Sequence, residues 1–207
     1  MSVHLSEGLA EKGLKTLLLD VDPQESASWW SEQEPEHKVL LSDTLQLTDP
    51  RGLGKLQSVL HESHDVAVID TAPTLYGQSL RHVIESCHLA LVPSAADTIL
   101  ELSRTIDTAR EITLQRKPYL VVFNKVDSRA LVELIMVRRH LSQLDIKMAS
   151  TYLRLLKAYK VAANEQTIAW KCSHGSGIEA GKDIRTLVGE IHEVLRGIMR
   201  RSKNARR

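Results

Sequence analysis

Apolar runs and amphipathic stretches alternate along the chain. "TLLLDVD" (16–22), "VAVID" (66–70), "LALVP" (89–93) and "YLVVF" (119–123) are short and nearly continuously apolar, as strands buried on both faces must be. Between them, apolar residues recur at helical spacing. Leu80, Val83, Ile84 and Cys87 make one stripe, and Leu102, Ile106, Ala109 and Ile112 a second. Leu131, Leu134, Ile135 and Leu141 make a third, and Tyr152, Leu155, Leu156 and Tyr159 a fourth. The longest stripe runs through Ile184, Leu187, Val188, Ile191, Leu195, Ile198 and Met199. This alternation predicts an α/β fold, a doubly wound and mostly parallel sheet with helices on both faces.

In such sheets ligands bind beyond the carboxyl ends of the strands. The residues found there are Asp20 and Asp22, then Asp70, Pro93 and Asn124. A carboxylate in that position is costly to bury unless it meets a cation. Asp and Asn are also common helix N-caps, and a single strand end of this kind would be read that way. Three in succession point instead to a phosphate–metal site with an amide placed to read a base.

Composition adds exclusions. The 207 residues have a net charge of +1, with 43% hydrophobic and 26% charged residues, so the chain is neither a polycation nor a disordered polymer. The charge is uneven, because "RGIMRRSKNARR" at the end holds six basic residues and no acid. Cys87 and Cys172 lie far apart without CxxC spacing and are read as reduced thiols of a cytosolic protein. No two histidines stand at i, i+4, and no apolar run is long enough for a membrane span.

"LLLDVDPQESASWW", "HDVAVIDTAPTL" and "VVFNKVDSR" resemble the signatures of the ParA/MinD group of deviant Walker ATPases. "TYLRLLKAYKVAANEQTI" and "DIRTLVGEIHEVL" resemble the C-terminal third of that family, and the short length is closest to its small plasmid-partition members. The resemblance implies a P-loop NTPase-like fold using ATP and Mg²⁺. Asp22 would be the catalytic residue that orients the attacking water, and Asp70 the Walker B carboxylate at the metal. Thr71 and Pro73 would belong to the loop near the γ-phosphate, Asn124 would reach the adenine edge, and Gln24 would sit near the dimer interface. Non-specific DNA would meet Arg154, Lys157 and Lys160, read as one helical face, together with Arg200, Arg201 and Lys203. A ParB-like or adaptor protein would be the partner, and the ATP state would be a homodimer in a cytoplasmic, nucleoid-associated protein.

The family's first strand and its K-G-G-x-G-K-T-T loop have no counterpart here, for "MSVHLSEGLAEKG" begins where the following helix is already under way. "GSGIEAGKD" (175–183) lacks the required spacing and is read as the loop before the last helix. Without that central strand, two strand edges lose their partners. The expectation is that the strands close ranks or that the natural protein begins upstream of Met1. The chain as given is expected not to turn over ATP. Residues 1–199 are read as the nucleotide-binding domain and 200–207 as a basic tail. Two alternatives stand beside the partition ATPase. One is a non-catalytic scaffold that binds a partner protein, and the other a MinD-like protein lying on a membrane through its last helix. The family often has Arg where this chain has Leu156, and usually Gly where it has Gln166.

Overall fold

The computed structural model describes residues 1–24, 27–31, 40–72, 77–95 and 98–204. In chain order the elements are α1 (Ser2–Ala10), β1 (Thr16–Asp20), β2 (Asp43–Gln46), α2 (Leu53–Ser63), β3 (Val66–Asp70), α3 (Gly77–Ser86) and β4 (Ala90–Ser94). They continue with α4 (Ile99–Leu114), β5 (Tyr119–Phe123), α5 (Leu131–Gln143), α6 (Lys157–Asn164) and α7 (Gly177–Asn204). The chain divides into two compact units, Met1–Ser86 with Lys157–Ile184, and Cys87–Leu156 with Arg185–Arg207.

The first unit contains a parallel sheet in the order β2-β1-β3, with Asp20 opposite Asp70. The central strand shows why its sequence is continuously apolar. Leu18 packs with Val3, Ala27, Leu40 and Ile168, while Leu17 and Leu19 pack with Val21, Leu53 and Val83. Successive side chains leave opposite faces of a strand, so both faces of β1 are core. Helix α1 is buried from Val3 to Leu9. It closes on Gly13, whose φ is +84°, with Gly13 N–H donating to Ala10 O at 2.8 Å and Leu14 N–H to Leu9 O at 3.4 Å. That paired geometry needs a left-handed residue at Gly13.

The second unit contains β4 and β5, paired in parallel from Ala90–Tyr119 to Ser94–Phe123. Val121, Val122, Phe123, Ala109, Ile112, Leu141 and Leu153 are buried in it. Among the described residues the strands pair in parallel throughout. They form a three-stranded and a two-stranded sheet.

Several sequence expectations shift. The strand predicted over 16–22 ends at Asp20, because the Asp20 carboxylate captures the Asp22 N–H at 3.0 Å and Pro23 follows. The strand predicted over 89–93 occupies 90–94. Strand β2 is unanticipated, since "DTLQ" is a mostly exposed edge without an apolar run. The stripe at 152–159 is not one helix. Leu153 N–H donates to Phe123 O at 2.8 Å, and Leu155 N–H to Val126 O at 2.8 Å, so this segment extends the edge beside β5. Helix α6 begins only at Lys157, and Arg154, bridged to Val126, is not on the face of Lys157 and Lys160. "GSGIEAGKD" is helical from Gly177 onward, where an added Cβ would stand 2.5 Å from Ala169 O. Helix α7 continues through Asn204.

Candidate functional site

Three carboxylates gather where β1 and β3 end. Asp20 is fully buried, and its two oxygens accept the N–H groups of Asp22 and Ala27, each at 3.0 Å. It shapes the loop leaving the sheet and is spent on backbone. Asp22 is 9% exposed and accepts the Gln24 N–H at 2.9 Å, which fixes the next turn. Asp70 accepts a hydrogen bond from the Ser2 hydroxyl at the amino end of α1. Burial pushes the Asp70 carboxyl above its ordinary range. The Ser2 hydrogen bond and the chain's amino-terminal charge oppose that rise, and Asp20 and Asp22 add to it. Thr71 follows directly and is half-buried, Gln24 is exposed, and Pro73 lies outside the described residues.

The donor set can be tested against the expected cofactors. Mg²⁺ keeps most of its waters and takes one or two carboxylates, which Asp70 with its neighbours can supply. Among the described residues no group of three or more His, Cys, Asp or Glu side chains is placed to hold a metal ion. The amino end of α1 offers backbone N–H groups of the kind that bind phosphate. A triphosphate, however, is normally cradled by a glycine-rich loop and a lysine, and these residues hold neither. Asp70 with its neighbours could supply the oxygen donors that a hydrated magnesium takes.

Asn124 belongs to the second unit, at the carboxyl end of β5. Its N–H donates to Ser94 O at 2.8 Å and its Oδ1 accepts the Lys125 N–H at 2.9 Å. What it can still offer a base is its NH₂ group. The basic residues fall in separate places. Lys157 and Lys160 are exposed on α6, Arg154 is half-buried, and Arg200 and Arg201 are exposed on α7. Lys203 lies within α7, and its side chain is outside the described residues.

Three residues of α1 escape the sequence reading. Ser2 holds Asp70. His4 accepts the Ala169 N–H at Nε2 (3.0 Å) and meets the rings of Trp30, Tyr159 and Trp170 edge-on. Glu7, fully buried, accepts the N–H groups of Leu41 at 2.7 Å and Ser42 at 2.9 Å, and the Ser42 hydroxyl at 2.6 Å. The available signal was His4 and Glu7 standing one turn apart beside Val3 and Leu5, in a stretch that otherwise reads as core.

Residues 1–167 match the sequence profile of the CobQ/CobB/MinD/ParA nucleotide binding domain. The maintenance of carboxysome distribution protein A of Gloeobacter kilaueensis is 31% identical over 193 residues, covering 92% of this chain and 86% of that protein. Among solved structures, MinD in the MinC:MinD cell division complex of Aquifex aeolicus superposes with a TM-score of 0.69 at 13% identity, over 93% of this chain and 88% of that one. An ATP complex of McdA from Cyanothece superposes with a TM-score of 0.63 at 14% identity, over 91% and 90%. No helix among the described residues is long and apolar enough to cross a membrane.

Proposed function

The chain belongs to the CobQ/CobB/MinD/ParA nucleotide-binding family, and from that premise we propose that it is a ParA-type positioning protein. It would distribute a plasmid, chromosome or other cargo through nucleotide-dependent dimerisation and sequence-independent DNA binding. One observation carries this reading. Two parallel strands end in register on Asp20 and Asp70, Asp22 follows at once, and the amino end of α1 is bonded to Asp70.

Asp70 is assigned the magnesium position and Asp22 the orientation of a water beside it. Thr71, Pro73 and Gln24 are assigned to the loops around that position, and Asn124 to the base edge. Lys157, Lys160, Arg200 and Arg201, with Arg154 and Lys203, are assigned to DNA phosphates, which would make binding salt-sensitive and indifferent to sequence. A ParB-like or adaptor protein is the expected partner. No hydrolytic step is assigned to these 207 residues, since they do not cradle the phosphates. A second reading is a non-catalytic scaffold for a partner protein.

Equilibrium dialysis with ATP and Mg²⁺ separates the two. The 207-residue polypeptide is expected to bind ATP weakly. Fusing a strand and a K-G-G-x-G-K-T-T loop ahead of Met1 is expected to restore Mg-dependent binding and dimerisation, with Asp22→Ala sparing binding and blocking hydrolysis. An extended chain that still ignores ATP leaves the scaffold reading standing and removes the ATPase.

A further inference from the structure

We propose that the outer face of α5 is a docking site for a short amphipathic helix of a partner protein, with acidic side chains following its apolar residues. The inference stands on the second unit alone and does not depend on the nucleotide reading.

The apolar pattern of α5 predicts a stripe facing the core, but the fold buries only Leu134 and Leu141 of it. Ile135 is 65% exposed, and Val132 and Met136 are 68% and 67% exposed, with Leu131 at 37%. Positions i, i+1, i+4 and i+5 share one side of a helix, so the four side chains form a continuous apolar surface over its first turns. Burying such side chains removes apolar surface from water and favours association. A scattered exposed leucine needs no explanation, whereas a contiguous group marks an interaction surface.

The face is also preformed. Leu134 and Leu141 anchor the inner side, while Arg138 donates to Ala149 O at 2.8 Å and lies 5.5 Å over the Phe123 ring. A partner therefore meets a helix whose orientation is already fixed, and less ordering cost falls on binding.

Charge selects the occupant. One turn beyond Ile135 and Met136 come Arg139 and His140, both exposed, so the apolar surface runs into a basic end. The one acid of the helix, Glu133, lies on its flank rather than on this face. The complement is a helix with apolar residues at i, i+3, i+4 and i+7 followed by Glu or Asp. A second copy of this chain is a poor match. Antiparallel pairing of two α5 faces sets Arg139 against Val132, and parallel pairing sets Arg139 against Arg139. The surface is also small, with four apolar side chains where a standard stable interface uses about 20–30 residues a side.

The probe is a labelled synthetic peptide of that pattern, with a twin carrying Lys in place of its acids, titrated into the full chain by fluorescence anisotropy. The acidic peptide is expected to saturate, and the Lys twin to bind at least about tenfold more weakly. Ile135→Asp is expected to weaken the acidic peptide about tenfold, and Arg139→Glu to reverse the preference between the twins. Both positions are exposed, and far-UV circular dichroism verifies that the variants are folded, with Val132→Ser as a milder check on the same face. The proposal is overturned if the acidic peptide does not saturate, if the twins bind alike, or if Ile135→Asp changes nothing. It is equally overturned if sedimentation shows self-association, or anionic vesicles show binding, that Ile135→Asp abolishes.

Discussion

Helices α1 and α5 invert one another. The first is buried from Val3 to Leu9 and keeps His4, Ser6 and Glu7 inside. The second turns Val132, Ile135 and Met136 outside. The buried polar groups of α1 are accounted for by what they hold. Glu7 satisfies the N–H groups of Leu41 and Ser42, and His4 that of Ala169. Helix α1 thus acts as a fastener for irregular backbone, which an all-apolar helix cannot do. The apolar groups of α5 at Val132, Ile135 and Met136 are instead largely exposed, and so are available to something outside the chain.

The comparison breaks first at α1, where the largest effects are expected. His4→Ala removes a ring packed against Trp30, Tyr159 and Trp170 and strands the Ala169 N–H, a combined loss of about 3–5 kcal/mol. Glu7→Gln keeps one acceptor oxygen and turns its NH₂ group toward the other N–H donor, costing about 1–3 kcal/mol. Urea denaturation measures both. Losses below about 0.5 kcal/mol, the range of ordinary surface substitutions, would mean that α1 does not fasten these segments.

Acid sharpens the contrast, because α1 hides a histidine, the one buried among the described residues. Burial, with a smaller contribution from the amino-terminal charge, lowers the His4 pKa from 6.5 to about 3. The unfolded chain therefore binds a proton that the folded chain refuses. This group removes stability as pH falls from 6.5 toward 3, by at most about 1.4 kcal/mol per pH unit. Asp70 acts in the opposite sense: its raised pKa means the fold takes up its proton first, so acidification relieves it. Urea midpoints collected across this window are expected to fall less steeply for His4→Gln than for the parent chain. Parallel slopes would place the His4 ring in contact with water.

Much of the architecture was legible because period and burial coincide. The continuous apolar runs gave four of the five strands, and Asp20, Asp22 and Asp70 stood at strand ends because the sheet is parallel. Gln166, noted where the family usually has glycine, adopts φ +48°, a conformation that favours that residue. What was illegible depended on partners distant in sequence. Arg154 looked helical beside Lys157 and Lys160, until the hydrogen bonds of Leu153 and Leu155 claimed that backbone for the edge of β5. Strand β2 has no apolar signature, since it lies at an exposed edge. Glu7 escaped the sequence reading because nothing local announces the N–H groups of Leu41 and Ser42, 34 and 35 residues away.

The smallest effect is expected where hydrophobicity scales would place a large one. Ile135→Ser deletes a β-branched apolar side chain from mid-helix, and in a core that change would cost several kcal/mol. Here the side chain is 65% exposed and its loss leaves no cavity. Serine is only slightly poorer in a helix than isoleucine, and removing exposed apolar area carries little penalty. The denaturation free energy of the full chain should therefore stay within about 0.5 kcal/mol of the parent. Met136→Gln, whose helix propensity nearly matches that of methionine, should change it still less. A loss above about 2 kcal/mol from either would show that this face is covered by the protein itself in solution. The inversion between α1 and α5 would then disappear, and with it the reason to expect a partner on α5.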